Sequence, residues 1–453
     1  MNDSKVKGRV QSAEERVHNF DEVEFGYNEG EALKEANRCL QCKNPRCVQG
    51  CPVHIAIPEF IKFIKEKDFK KAYEVISESS SLPAICGRVC PQEKQCESMC
   101  IKGLKGEAIS IGALERYVAT YALENNLSST ISKEKNGKNI AIVGSGPAGL
   151  SCAGELARAG FDVTIYEVLH KPGGVLVYGI PEFRLPKSIV QKEIDNLKKL
   201  GVKILCDVFI GNSLTIDDLR EKYDAIFLGT GAGLPRFMGI EGENANQVFS
   251  ANEVLTRINL MGAYKNDAKT PVKKGKVAYI IGGGNVAIDA VRSLKRLGVD
   301  ARIMYRRSIE ELPARKMEVE HAMEEGIPFE FLVNPKKILV DEDNNVVGME
   351  VVNMKLGEKG EDGRASVEED LSSLHTVSCD MVVMALGTSP NHTALKNSDI
   401  KLTDRSLIEV DGGKTSIDSV YAGGDAVTGA ATVILAMEAG KNAAKEIIEK
   451  FQN

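Results

Sequence analysis

The sequence predicts an α/β protein in which a helical, cysteine-rich segment precedes two Rossmann-like nucleotide-binding units, the second inserted in the first. Three observations lead to this prediction. Eight of the 11 cysteines lie within the first hundred residues. Further along, a strand, a glycine loop and a helix follow one another twice, as in nucleotide-binding α/β folds. The final segment is rich in strand patterns and needs an existing sheet to join.

The three predicted segments differ in their periodicity. Residues 1–135 have helical apolar spacing, interrupted by cysteine-bearing loops. We expect the first nucleotide-binding unit over 136–245 and 380–453, and the second unit over 246–379. The polar stretch 128–139 is interpreted as a linker.

Length and composition exclude several classes of protein. A chain of 453 residues is too long for one core and suits two or three domains. No apolar run reaches the length that a membrane span needs, and the first residues lack the apolar core of a signal peptide. We therefore expect a cytoplasmic protein that does not bind a membrane. The net charge of -6 argues against a nucleic-acid partner.

The crowded cysteines form two motifs with short, interlocked spacings. These are Cys39-x2-Cys42-x4-Cys47-x3-Cys51-Pro and Cys86-x3-Cys90-Pro-x4-Cys96-x3-Cys100. Iron–sulfur clusters take thiolates from short spacings together with one ligand from a distant motif. Eight cysteines suffice for two [4Fe-4S] clusters. Zinc is the main alternative, although its C-x2-C pairs are usually isolated, and disulfides are disfavoured in a reducing compartment.

The first glycine loop has the context of a dinucleotide-binding fingerprint. Its residues are Gly144, Gly146, Pro147, Ala148 and Gly149, and they lie between a predicted strand and helix. The glycines allow a tight turn, close approach of a pyrophosphate and packing of the helix on the strand. Glu167 ends the next strand, where a carboxylate can bind ribose hydroxyls; an exposed strand-end charge is the alternative.

A downstream motif favours FAD over NAD at this first loop. Gly424 and Asp425 belong to the sequence YAGGDA. Asp425 is suited to bind the flavin ribitol, although a helix cap is the other interpretation. The helix predicted from about Thr432 would direct its positive end towards the flavin and stabilise its reduced, anionic form.

The second glycine loop predicts an NADP(H) site. It contains Gly282, Gly284, Asn285, Val286 and Ala287. Tyr305 occupies the position that matches the ribose-binding acid of the first unit, and Arg306 and Arg307 follow it. A missing carboxylate beside arginine is typical of a site for a 2′-phosphate. A solvated basic pair is the alternative.

The sequence offers no candidate for a catalytic side chain. A redox-active C-x4-C pair is missing from the predicted flavin unit, and Asn2 leaves no cysteine for an amidotransferase nucleophile at residue 2. Hydride exchange between NADPH and a flavin needs neither an acid nor a base from the protein. We therefore predict flavin-mediated chemistry.

Together these motifs resemble one family across nearly the whole chain. The matching stretches include RCLQCKNPRCVQGCPV, ICGRVCPQEKQCESMC, YGIPEFRLPK and YAGGDA. The family includes the small subunit of NADPH glutamate synthase, the N-terminal half of dihydropyrimidine dehydrogenase and the large subunit of NADH-dependent reduced ferredoxin:NADP oxidoreductase. The opening region looks most like the last of these and the homotetrameric glutamate synthases. The resemblance implies a glutathione-reductase-like pair of nucleotide-binding domains.

The resemblance also implies how the cysteines divide between the clusters. Cys39, Cys42, Cys47 and Cys100 would hold one cluster. Cys51, Cys90 and Cys96 would hold the other with Glu115, which would otherwise be interpreted as a solvated helix residue. The stretch 179–187 would lie near the flavin, which adds Arg184 to the predicted flavin site. Gly174, just before this stretch, is also assigned to that site.

Two enzymes from this family are the leading functional hypotheses. In an electron-bifurcating transhydrogenase, the partners would be a smaller flavin and [2Fe-2S] subunit that binds NAD, and ferredoxin. In glutamate synthase, the partner would be a large amidotransferase subunit with FMN, unless the chain forms a homotetramer. A scaffold or pure electron-transfer module is less favoured, because two dinucleotide fingerprints would then have no purpose.

Overall fold

The computed structural model describes residues 4–127, 133–272, 275–360 and 363–452. Its N-terminal part is mainly helical. Its α-helices are Ala13–Arg16, Glu29–Asn37, Arg46–Gln49, Ile57–Lys65, Phe69–Ser77, Pro83–Val89 and Ile111–Glu124, with 3-10 helices Gln92–Lys94 and Ile101–Leu104. Two short antiparallel strands, Arg9–Val10 and Glu24–Gly26, accompany them. Of the predicted linker, residues 128–132 lie outside the described part, and Asn139 already begins a strand.

The helical part shares one apolar core with the first nucleotide-binding unit. Helix Ile57–Lys65 buries residues 57, 60, 61 and 64, the spacing of a single helix face. That face belongs to a cluster of buried side chains that also includes Leu150 and Met437 of the first unit. The cysteine motifs are therefore fixed against the predicted flavin unit. None of the described helices is long and apolar enough to cross a membrane.

The first unit has a five-stranded parallel sheet. Its strands, in spatial order, are Val420–Ala422, Ala225–Leu228, Asn139–Val143, Asp162–Tyr166 and Lys203–Leu205. Its α-helices are Pro147–Arg158, Val175–Tyr178, Lys187–Lys199, Ile216–Arg220, Asp425–Thr428 and Val433–Gln452, with a 3-10 helix at His392–Leu395. Because strand 420–422 pairs with strand 225–228 across the intervening unit, the second unit is inserted in the first, as predicted.

The second unit has its own five-stranded parallel sheet. Its strands, in spatial order, are Phe329–Phe331, Asp300–Tyr305, Val277–Ile281, Met381–Met384 and Val248–Ser250. Helices Ala251–Leu255, Asn285–Arg296 and Lys316–Glu324, the π-helical turn Thr256–Leu260 and the 3-10 turn Ile309–Glu311 complete its α/β layers. An antiparallel sheet of Val333–Val340, Val346–Lys359 and Ala365–Ser378 follows the last parallel edge strand.

The chain returns to the first unit a few residues later than the expected boundary at 380. Strand Met381–Met384 pairs with Val277–Ile281 and so belongs to the second sheet. The Asp380 carboxylate accepts hydrogen bonds from the backbone N–H groups of Lys276 and Val277, which aligns the two strands. An apolar run has the same pattern in either parallel sheet, so the sequence did not indicate which of the two sheets strand Met381–Met384 joins. The connecting strands Leu234–Pro235 and Thr388–Ser389 pair where the chain leaves and re-joins the first unit.

The N-terminal segment also contacts the second unit directly. The Phe20 ring stacks on Tyr264 with 4.5 Å between ring centroids. The guanidinium of Arg16 is buried and pairs with Glu325 at 2.9 Å. Because Glu325 also pairs with Arg292 and Arg296, this segment is tied to the core of the second unit.

Candidate cofactor sites

A cavity of about 930 Å³ lies between the two nucleotide-binding units. It is lined by residues that the sequence assigned to both dinucleotide sites: Gly144, Gly146, Pro147, Ala148, Glu167, Gly174, Arg184, Asp425, Thr432, Asn285 and Val286. Seven other predicted residues do not line it in the described part of the chain: Gly149, Gly424, Gly282, Gly284, Ala287, Arg306 and Arg307. The cavity thus joins the two fingerprints in one space large enough for extended ligands.

The first glycine loop has the shape that a bound pyrophosphate requires. A side chain at Gly149 would place its Cβ 2.0 Å from the carbonyl oxygen of Gly144, so helix and strand pack as closely as only glycine allows. At Gly146, by contrast, an added Cβ meets no described atom within 4 Å. The backbone there faces open space at the start of helix Pro147–Arg158, where a diphosphate can approach the N–H groups.

Glu167 is buried at the end of its strand and is fixed by the glycine loop. Its Oε2 accepts a hydrogen bond from the backbone N–H of Ser145 at 2.9 Å and another from the Ser145 hydroxyl. Its Oε1 accepts one from the N–H of Leu169 at 2.8 Å. Because Glu167 also lines the cavity, its remaining acceptor capacity is available for a ribose. The role of Ser145 could have been inferred from its place inside the glycine loop.

Asp425 and the start of the last helix form another part of the wall of the same cavity. Burial raises the pKa of Asp425 to about 6, and its Oδ1 accepts a hydrogen bond from the N–H of Ala431. Thr432 and Val433 line the cavity at the beginning of helix Val433–Gln452. This 20-residue helix therefore directs its positive end into the cavity. Gly424 adjoins this wall and packs on Ala148.

The second glycine loop repeats the geometry of the first. An added Cβ at Gly282 would lie 2.4 Å from the carbonyl oxygen of Ala385, whereas one at Gly284 would meet no described atom within 4 Å. Ala287 is fully buried, which explains why a small residue replaces the third glycine. Asn285 and Val286 face the cavity at the start of the following helix. Gly284 therefore presents open backbone, as Gly146 does.

The predicted 2′-phosphate arginines follow strand Asp300–Tyr305. Arg306 is exposed, and the Nε of Arg307 donates a hydrogen bond to the carbonyl oxygen of Ala365 at 2.8 Å. Arg306 thus presents a cation at the end of the strand, and Arg307 is partly engaged by the neighbouring antiparallel sheet. Their assignment to NADP(H) stays a prediction.

Arg184 joins the two units as well as lining the cavity. Its Nη1 lies 2.6 and 2.7 Å from the two carboxylate oxygens of Asp289, and its Nε lies 2.9 Å from Glu318. Both carboxylates belong to helices of the second unit, so Arg184 fixes the loop at 179–187 against that unit. No local sequence pattern indicates these partners, because they are more than a hundred residues away. The predicted contact with the flavin remains a prediction.

Four cysteines form the outer site, which is partly exposed. Cys39, Cys42, Cys47 and Cys100 line one small cavity together with Arg46 and Lys102. Burial, with smaller contributions from the neighbouring Cys100 and Cys39, raises the pKa of Cys47 to about 11. Thiols with such raised pKa values stay protonated near neutral pH unless a metal centre binds them.

Three cysteines and Glu115 form the inner site, which is buried. Cys51, Cys90, Cys96 and Glu115 are each less than a tenth exposed. Burial, with a smaller contribution from the nearby Glu115 carboxylate, raises the pKa of Cys51 to about 11. Burial and the Glu97 and Glu115 carboxylates also raise the pKa of Cys96 well above its usual range. A hydrogen bond with Cys86 raises the pKa of Cys90, with a further contribution from burial.

The donor set of the inner site fits a metal cluster. Burial raises the pKa of Glu115 to about 8, and its Oε1 has no hydrogen-bond partner among the described residues. An unpaired, buried carboxylate oxygen beside three buried thiols is costly unless a cation satisfies it. Cys86 instead donates to the Met437 sulfur at 3.4 Å on the last helix of the first unit. No group of three or more His, Cys, Asp or Glu side chains in the described ranges is arranged to hold a single metal ion.

Two family models match consecutive parts of the chain. Residues 16–127 match the family described as dihydropyrimidine dehydrogenase domain II, 4Fe-4S cluster, and residues 138–440 match the pyridine nucleotide-disulphide oxidoreductase family. The fold and these matches define the chain as an NAD(P)H-dependent oxidoreductase with FAD, NADP and [4Fe-4S] clusters as cofactors. The chain belongs to the pyridine nucleotide-disulphide oxidoreductase family and is related to the glutamate synthase small chains. The predicted fold class and cofactors are confirmed.

Individual relatives are named as chains or subunits of larger enzymes. It is 35% identical to the NADPH glutamate synthase small chain of Escherichia coli, over 95% of this chain and 93% of that one. It is 36% identical to the NADPH-Fe(3+) oxidoreductase beta subunit of Geobacter sulfurreducens, over 88% of this chain but 63% of that one. FprA of Mycobacterium tuberculosis, solved in complex with NADPH, has the same fold over 70% of this chain and 85% of its own, with a TM-score of 0.59 and 20% identity.

Proposed function

We propose that the chain moves electrons between NADPH, FAD and two [4Fe-4S] clusters, as the NADP-binding subunit of an electron-bifurcating NADH-dependent ferredoxin:NADP oxidoreductase. We infer the electron route from the position of the inner site. Val89 and Pro91, on either side of Cys90, line the cavity that contains both dinucleotide fingerprints. An inner cluster would therefore lie beside the flavin, and the partly exposed outer site would lie farther along the route.

The two walls of the cavity divide the binding task. Flavin, when bound, supplies the hydride and single-electron chemistry. On the first wall, Gly146, Glu167 and Asp425 are suited to the diphosphate, ribose and ribitol of FAD. On the side of the second unit, Asn285 and Val286 line the cavity. The neighbouring Gly284 and the exposed Arg306 are suited to the diphosphate and 2′-phosphate of NADP(H). Because residues of both units line one cavity, the two rings can be positioned together there, which is what hydride exchange requires of a protein.

The surface near the outer site supports electron exchange with an acidic partner such as ferredoxin. Leu40 and Leu104 are large apolar side chains that are 59% and 71% exposed. The charged residues that line the outer cysteine cavity, Arg46 and Lys102, are both cations. Apolar contact with a cationic surround favours an anionic redox protein, since charge complementarity orients the encounter. The second expected partner is a smaller flavin and [2Fe-2S] subunit that binds NAD.

Glutamate synthase is the second candidate, favoured by a specific observation. The match to the E. coli small chain covers 93% of that relative, so nearly the whole of it has a counterpart here. In that role the chain would supply NADPH electrons to a large amidotransferase and FMN subunit, or to a homotetrameric enzyme. The fold and the cofactor sites would be the same in both cases, because the two functions differ in what receives the electrons.

Anaerobic purification of the native complex tests the choice. We expect a smaller flavin and [2Fe-2S] subunit, and NADPH oxidation that requires NAD⁺ and oxidised ferredoxin together. Assays that omit one acceptor are the control, since simple electron transfer would proceed with either acceptor alone. A large amidotransferase partner, or a homo-oligomer that forms glutamate from glutamine and 2-oxoglutarate, would overturn bifurcation in favour of glutamate synthase.

A further inference from the structure

Arg315 of the second unit reaches into the loop that surrounds the inner cysteine site. It immediately precedes helix Lys316–Glu324 and is 5% exposed. It also lines the cavity between the two nucleotide-binding units. One residue therefore contacts both the predicted nucleotide space and the iron–sulfur part of the chain, although 222 or more positions separate it from its partners there.

The backbone of Arg315 is fixed by the second glycine loop. Its N–H donates to the Oδ1 of Asn285 at 2.9 Å, and the preceding Ala314 N–H donates to the carbonyl oxygen of Gly283 at 3.3 Å. Asn285 is the first residue of the helix that follows this loop and faces the cavity. A ligand at the helix N-terminus would contact the side chain that positions Arg315.

The guanidinium of Arg315 is held by the residues on both sides of Cys90. Its Nη1 donates to the carbonyl oxygen of Arg88 at 3.3 Å, and its Nη2 donates to the Oε1 of Gln92 at 3.0 Å. Glu93 lies 3.3 Å from the Nε. Gln92 in turn packs against Gly112, at the start of the helix that contains Glu115. A buried cation is therefore built into the surroundings of the inner site.

We propose that Arg315 couples nucleotide binding at the second glycine loop to the reduction potential of the inner cluster. The inference rests on the proposed NADP(H) site. One-electron reduction makes a cluster more negative, and a nearby fixed guanidinium favours that state. An anionic nucleotide beside Asn285 attracts the same guanidinium, so bound nucleotide lowers the potential. By linkage, reduction of the cluster weakens nucleotide binding by the same factor by which bound nucleotide disfavours reduction.

The test is an EPR-monitored redox titration of the holoenzyme with and without tetrahydro-NADP, an analogue that cannot donate a hydride. Dithionite supplies the electrons, one per cluster. We expect the analogue to bind about fivefold more weakly when the inner cluster is reduced. The same coupling lowers the inner-cluster potential by about 40 mV, because a tenfold change in a one-electron equilibrium corresponds to about 59 mV. In Arg315→Gln the analogue should produce no shift.

Two further variants keep the outcome interpretable. Lys316→Gln removes a neighbouring cation whose side chain is 85% exposed, and it should retain the full shift. Arg315→Lys keeps the charge but loses the planar fork, so it should show an intermediate shift and can replace Arg315→Gln if that variant loses its cluster. An equal shift in wild type and both Arg315 variants would overturn the coupling. Failure of the wild type to bind the analogue would instead overturn the NADP(H) assignment on which the coupling rests.

Discussion

Replacing Gly284 with alanine should weaken NADP⁺ binding strongly without disturbing the fold. The backbone at Gly284 has φ −84° and ψ 175°, which any residue adopts, and an added Cβ meets no described atom within 4 Å. The methyl group would instead occupy the space in front of helix Asn285–Arg296 where a diphosphate is expected. Loss of one hydrogen bond to a charged phosphate costs about 1.5–3 kcal/mol, or roughly 10- to 150-fold in Kd.

The assay measures the Kd of NADP⁺ on the oxidised holoenzyme, together with the FAD content and the thermal unfolding midpoint. Gly146→Ala is the matched control, because its Cβ also meets open space but on the first glycine loop. Gly284→Ala should retain FAD, whereas Gly146→Ala should lose it. An unchanged Kd in Gly284→Ala would refute the assignment of the second loop to NADP(H). A large fall in its unfolding midpoint would refute the argument that the position is open.

Three further substitutions test individual sites. Changing Arg306 and Arg307 together to Gln should raise the Kd of NADP⁺ about tenfold or more and leave that of NAD⁺ nearly unchanged, since only NADP⁺ has a 2′-phosphate. Equal changes in the two Kd values, measured in parallel titrations, would count against the specificity argument. Glu115→Ala should remove up to about four irons per chain or alter one of the two EPR signals. The control is Glu124→Gln, an exposed position on the same helix. An unaltered iron content and EPR spectrum would exclude Glu115 as a ligand. Gly149→Ala should yield little folded, FAD-containing protein, because its Cβ would lie 2.0 Å from a carbonyl oxygen; normal yield and flavin content would contradict the packing.

The features that the sequence predicted well are local ones. A strand, a glycine loop and a helix depend on a few consecutive residues, so the fingerprints at Gly144 and Gly282 could be identified from the glycine spacing together with the flanking strand and helix patterns. The division of the cysteines into two groups required the family resemblance. In the structure, the outer and inner groups lie as that resemblance implied, with Glu115 beside the buried group. Their roles as individual ligands stay predictions.

The features that the sequence did not predict depend on contacts between distant residues. Strand Met381–Met384 lies in the second sheet because its backbone pairs with residues about a hundred positions earlier. Arg184 pairs with Asp289, and Arg315 reaches Gln92, across the boundaries between units. An arginine has the same local pattern whether it binds a ligand, a carboxylate or a backbone carbonyl. Only the packing of the units identifies its partners.

The most direct test of the central claim is the iron, acid-labile sulfide and FAD content of anaerobically purified protein. Two [4Fe-4S] clusters beside one flavin predict about eight irons and about eight sulfides per FAD. That result would mean that both cysteine groups hold clusters, as the electron route from the cavity to the surface requires. Zinc without labile sulfide, or about four irons per FAD, would contradict a route through an inner and an outer cluster.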